Sequence, residues 1–184
     1  MRTLHYFPSI ALLVAGMLAT PLAAAASPED INEVNRLHQS GDSAQALLLA
    51  EKALAARPKD AQLRFLKGVV LAETSRSLEA IEVFQKLTED FPELAEPYNN
   101  LAALHAARGD YDKARVALEQ ALRSNPGYAT ALENLGDVHA MLASQAYARA
   151  IALDPGNNPL TTKNSIVRGL FSTRIGSSAA KAPQ

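Results

Sequence analysis

The chain has 184 residues, enough for one ordinary domain. Its 18 Lys and Arg are balanced by 19 Asp and Glu, which leaves no concentrated basic footprint of the kind nucleic acid requires. Hydrophobic residues reach 48% while aromatics stop at 5%; an apolar content built largely from Ala and Leu favours close-packed helices over sheets.

The first element is an export signal over residues 1–26. Arg2 and the terminal amine form a modest positive region, and Ile10 to Ala19 is uninterrupted and apolar. Thr20-Pro21 ends that run, and Ala24-Ala25-Ala26 supplies the small residues a signal peptidase requires before Ser27. The run is about half of the roughly 20 residues needed to cross a bilayer as a helix, so cleavage and release into the periplasm are expected, with no membrane span afterwards. Retention as an anchor is the alternative. The chain has no cysteine, which excludes a lipid-modified N-terminus and leaves stability to packing alone.

From residue 27 onward the sequence repeats. Pro58, Pro92 and Pro126 stand at equal intervals of 34, with Pro155 following. Twelve residues before each proline lies an alanine: Ala46, Ala80, Ala114 and Ala143. Further on come Ala50, Phe84, Leu118 and Tyr147, then Ala53, Leu87, Ala121 and Ala150. A proline stops a helix because it cannot continue the hydrogen-bond ladder. Gly41-Asp42 and Gly109-Asp110 provide turns where positive φ is tolerated. Gly68, Ala102 and Gly136 recur on the first helix of each unit, where a small residue lets two helices approach closely.

This pattern resembles the tetratricopeptide repeat family, whose unit is a pair of antiparallel helices. The units run 27–60, 61–94 and 95–128, with a shortened fourth at 129–155. The third carries the motif most fully, in Tyr98, Leu101, Ala102, His105, Gly109, Tyr111, Ala114, Leu118, Ala121 and Pro126. The resemblance implies an all-α fold, an α-solenoid of helix hairpins wound as a right-handed superhelix. The stretch Leu132 to Leu153 is also similar to small exported proteobacterial repeat proteins. An ordinary helix bundle with accidental periodicity is the competing architecture.

Two places depart from the pattern. Asp30 and Glu33 replace bulky apolar residues in the first unit, as suits a terminal cap with one face in water. In the fourth unit the proline comes early, and Ala129 to Asp154 contains no proline and one glycine, Gly136. Leu132, Leu135, Leu142, Ala146 and Leu153 keep close to one helical face. The spacing predicts one continuous helix of about 25 residues in place of a hairpin; a tight turn at Ala143-Ser144 is the alternative. A continuous helix would project Tyr147, Ile151 and Leu153 away from the array. Their cover is either a capping helix over 156–171, through Leu160, Ile166, Val167, Leu170 and Phe171, or a second subunit in a homodimer. Residues 172–184 read as a disordered tail.

The resemblance further implies that first helices line a concave groove, through recurring positions of each unit. Those are Asn35, His38 and Gln39; then Gln62, Phe65, Val69 and Glu73; then Glu96, Asn99 and Ala103; then Thr130, Glu133 and Asp137. Such a groove is polar and mildly acidic, with an apolar spot at Phe65 and Val69. Asn99 can bond both N–H and C=O of an extended peptide. No lysine or arginine stands among these positions, against a ligand held by a cationic clamp.

Enzymatic chemistry finds no foothold. There is no Cys nucleophile, no Gly-x-Ser-x-Gly elbow and no phosphate-binding glycine loop. His105 and His139 occupy equivalent places in adjacent units, about 10 Å apart, too far to share a metal at about 2.1 Å; both read as partly buried packing residues. No cofactor or metal is expected. The function anticipated is a periplasmic adaptor binding peptide segments of envelope proteins in its groove. A structural protein that self-associates through residues 129–171 is the alternative, and an enzyme comes third.

Overall fold

The structure is a computed structural model that describes residues 28–178. Among them all regular structure is helical: α1 (Pro28–Gln39), α2 (Ser43–Ala56), α3 (Ala61–Glu73), α4 (Ser77–Asp90), α5 (Ala95–Ala107), α6 (Tyr111–Ser124), α7 (Ala129–Leu153) and α8 (Asn158–Ser178). The export signal expected over residues 1–26 lies outside the described residues. Each helix packs on the next in sequence, as an α-solenoid of hairpins requires.

Alanines set the spacing within hairpins. Ala46, Ala80 and Ala114, the equivalent residues of successive second helices, are all fully buried. Phe84 of α4 lies against Gly68 of α3 so closely that a Cβ added there would meet the ring at 2.7 Å. The core divides in two. One part joins α1–α4 to Leu101 and Leu104 of α5; the other joins α5, α6 and the first half of α7 through Ala114, Leu118, Ala121 and Val138.

Three turns close the hairpins. Gly41 and Gly109 adopt φ of 85° and 80°, and the Asp42 carboxylate accepts a hydrogen bond from the Gln45 N–H, capping α2. The α3–α4 turn carries neither feature in its sequence. Ser75 takes the positive φ there, at 62°, and Arg76 precedes α4 without a side-chain cap. That turn keeps its shape against a local steric preference worth about 1 kcal/mol.

Ion pairs clip first helices to the ends of their own second helices. Arg57 at the end of α2 bonds Asp30 of α1, and Arg64 of α3 reaches Asp90 of α4 at 2.5 Å with the charges exchanged. The corresponding residue of the third hairpin is Tyr98, whose hydroxyl donates to the Thr88 carbonyl of the preceding unit at 3.3 Å. The polar Asp30 is therefore a partner for Arg57 as well as a solvated cap.

The fourth hairpin is fused. α7 is unbroken over 25 residues, about 37 Å long, and it passes through Ala143-Ser144 as helix. Fusion changes the surroundings of Gly136. With no second helix crossing there, a Cβ would meet nothing within 4 Å, so the expected close approach at this glycine does not occur. α8 folds back along α7 and touches no other helix among the described residues, with Ser144 donating to the Asn164 side-chain oxygen at 2.8 Å. The backbone is helical through Ser178; residues 179–184 of the expected tail lie outside the described range.

Candidate functional site

The helix contacts identify the inner side of the array. α1 touches α3, α3 touches α5 and α5 touches α7, whereas α2, α4 and α6 do not touch one another. The elements that close up between neighbouring units lie on the shorter, inner edge of a curved stack. First helices therefore line the concave side, and second helices form the outer one, where Leu48, Leu78 and Val116 are exposed.

Two polar contacts bridge neighbouring first helices. His38 of α1 meets Glu73 of α3, Nε2 to Oε2 at 2.8 Å, with the imidazole largely covered and the carboxylate about half exposed. The other His38 nitrogen, Nδ1, and the Asn35 carbonyl oxygen one turn before it are buried without partners among the described residues. Further along, Asn134 of α7 donates its amide to the Asn99 side-chain oxygen of α5 at 2.8 Å. Both asparagines are only 8% exposed. Asn100 beside them is turned back on its own helix, donating to the Glu96 carbonyl.

Val69 is fully buried, so it cannot line a groove; it belongs to the core that joins α1–α4 to α5. Phe65 remains half-buried, with its ring edge-on to Phe84 at 5.7 Å between centroids, and the apolar spot shrinks to that one ring. Gln39, Glu73 and Glu133 are exposed, while Asn35, Gln62, Glu96, Ala103, Thr130 and Asp137 are half-buried. Asn134 was missed by the positional pattern. It stands one residue beyond the position taken as groove-facing, and only the approach of α7 to α5 brings it onto Asn99.

Burial raises the Tyr128 phenol above its ordinary value, and the Glu96 carboxylate nearby adds to that rise. At the α5–α6 turn, burial lowers His105 below the usual histidine value, with Lys113 and Arg108 pushing the same way and Asp110 opposing them. His105 Nδ1 lies 3.9 Å from the Asp110 carboxylate, too far for a hydrogen bond. His105 is thus buried, whereas His139 is exposed, which corrects the expectation that both pack in part.

At the far end of the array, Tyr147 and Ile151 are half-buried and Leu153 is 88% exposed. Leu160, Val167 and Phe171 are half-buried, while Ile166 and Leu170 point outward. No helix among the described residues is long and apolar enough to cross a membrane.

Residues 31–95 and 95–128 match two tetratricopeptide repeat family models. The chain belongs to the tetratricopeptide repeat family. Its array is accordingly a protein–protein interaction scaffold. Among similar proteins is a tetratricopeptide repeat domain-containing protein, PYG7, of Arabidopsis thaliana chloroplasts, 33% identical over 81 residues, or 41% of this chain and 27% of that one. A probable biofilm formation methyltransferase of Pseudomonas aeruginosa, WspC, is 33% identical over 94 residues, 51% of this chain and 22% of its own length. The chain thus spans about a quarter of the length of these two relatives. The first repeat domain of Spaghetti (RPAP3), solved bound to the HSP90 peptide SRMEEVD, superposes with a TM-score of 0.59 at 15% identity, over 66% of this chain and 99% of that domain.

Proposed function

We propose that this tetratricopeptide repeat protein is a periplasmic adaptor that holds peptide segments of envelope proteins against its concave side and carries out no catalysis itself. The observation that carries the reading is the inner face. First helices alone close up between units, and they present amides and carboxylates there with no lysine or arginine among the positions that line it. The chemistry suits a polypeptide backbone better than an anionic group. A repeat domain of the same fold has been solved with a peptide bound, which supports that use of the array. The apolar run Ile10–Ala19 followed by Ala24-Ala25-Ala26 supports export.

The test is site-specific photo-crosslinking in cells, with the reactive group at Phe65 or Glu73 on the inner side and at Leu48 or Val116 on the outer. Adducts with envelope proteins from the inner positions alone are expected, together with the protein in the periplasmic fraction. Adducts from the outer positions alone, or recovery in the cytoplasm, would refute the proposal. Self-association through α7 and α8 is the second reading, favoured by the outward Leu153, Ile166 and Leu170. Sedimentation of the wild type beside a Leu153→Lys, Ile166→Lys double variant decides it: a dimer that the changes dissolve supports it, and a monomer in both cases ends it.

A further inference from the structure

We infer that the exposed side of α8 docks on an anionic lipid surface and holds the acidic array away from it. The inference goes beyond the peptide-groove reading and does not depend on it. Charge along the chain is segregated. Residues 28–154 carry 13 Lys and Arg against 19 Asp and Glu, a net of −6. Residues 155–184 carry Lys163, Arg168, Arg174 and Lys181 with no Asp or Glu, a net side-chain charge of +4. Most cations of the array are paired with carboxylates, such as Arg57 with Asp30, Arg64 with Asp90 and Lys67 with Glu51. Lys163 and Arg168 are exposed and make no ion pair among the described residues.

The apolar part of the contact lies beside those charges. Leu160, Asn164, Val167 and Phe171 are half-buried, at the spacing of one helical face. Ile166 and Leu170 fall on another, 63% and 61% exposed, with Lys163 one turn before Ile166. α8 touches only α7 among the described residues, so this side meets no other helix of the array. A second copy is the poorer occupant. A two-fold contact lays a patch on itself, which would bring two like-charged α8 helices together. A single convex helix also offers a protein ligand no pocket. A bilayer requires none: aliphatic side chains enter the headgroup layer while neighbouring cations stay at its anionic surface. That surface repels the net −6 of the array, which turns α8 toward it and the array away. No described helix is long and apolar enough to cross a membrane, so the contact proposed is one along the surface.

The chain has no tryptophan, so Ile166→Trp places a single indole in the proposed contact. Leu48→Trp, on the outer side of α2, serves as the control. Each protein would be mixed with vesicles of equal parts phosphatidylglycerol and phosphatidylcholine, and with vesicles of phosphatidylcholine alone. Emission from Ile166→Trp is expected to shift to the blue with the anionic vesicles only, and emission from Leu48→Trp to stay in place. Each cation near an anionic surface strengthens binding about fivefold. Lys163→Gln with Arg168→Gln should therefore weaken co-sedimentation with the anionic vesicles about tenfold or more, and salt at about 0.5 M should do the same. All four positions are exposed, so the circular dichroism spectrum is expected to be unchanged. Co-sedimentation that survives the double substitution, equal binding to phosphatidylcholine, or an Ile166→Trp emission blind to lipid would overturn the inference. A blue shift that follows protein concentration without vesicles would also overturn it, assigning this face to a second copy. None of these results bears on the inner face, whose reading stands or falls by the crosslinking.

Discussion

Replacing Gly68 by alanine should destabilise the protein, and the same change at Gly136 should stabilise it, although the two glycines hold equivalent places in the repeat. In a helix interior, alanine is favoured over glycine by about 1 kcal/mol, and Gly136, exposed with nothing near its absent Cβ, should collect that gain in full. At Gly68 the new methyl would lie 2.7 and 2.8 Å from two atoms of the Phe84 ring. That ring is fully buried and has Phe65 against it, so it cannot swing away without repacking. Overpacking of this kind costs about 1–3 kcal/mol, which outweighs the helix term and leaves a net loss near 1 kcal/mol. Urea unfolding followed by circular dichroism should therefore shift in opposite directions, by about 0.5 M each way for a slope near 2 kcal/mol/M. Trimming the ring in a Gly68→Ala, Phe84→Leu double variant should cost less than the sum of the two single changes, because the clash goes with the ring. Should Gly68→Ala raise the midpoint as much as Gly136→Ala does, the close crossing of α3 and α4 is wrong, and so is the account of what fusion did to the fourth hairpin.

Three further outcomes can be measured. Ser75→Gly removes a non-glycine residue from positive φ and should raise stability by about 0.5–1 kcal/mol, read as a higher unfolding midpoint; a lower midpoint would show that Ser75 earns its place by another contact. Asp42→Ala deletes the cap on Gln45 and should cost about 1 kcal/mol, whereas Asp110→Ala, where no side-chain cap bond exists, should cost less. His105 is held below its ordinary value by burial, so the unfolded chain takes up a proton first as the pH falls. Its contribution is complete above pH of about 6.5 and is lost as the pH drops through the lowered folded value. The midpoint should fall over that window, and His105→Asn should flatten this part of the profile; a profile unchanged by the substitution would assign the acid response elsewhere.

The repeat, the helical class and the fusion of the last hairpin were all legible in the sequence. A 34-residue spacing of small residues and prolines constrains helix ends and crossings wherever it occurs, and a stretch with no breaker has no means of turning. Gly41 and Gly109 announced their turns because only a residue without Cβ takes positive φ freely. Ser75 sent no such signal, since that turn is imposed by the hairpins on either side rather than preferred locally. The clips Asp30–Arg57 and Arg64–Asp90 were also hidden, because each joins helix ends about 26 residues apart and local pattern says nothing about distant partners.

The inner face shows the same division most clearly. A positional rule placed Val69 in the groove and passed over Asn134. Packing in the core that joins α1–α4 to α5 sealed the valine, and the approach of α7 to α5 carried the asparagine onto Asn99. Which side chains a repeat presents follows from its own sequence, by helical geometry. Which of them stay open to a ligand depends on the distance and rotation between neighbouring units, and that is set only when many buried contacts settle together in the folded stack.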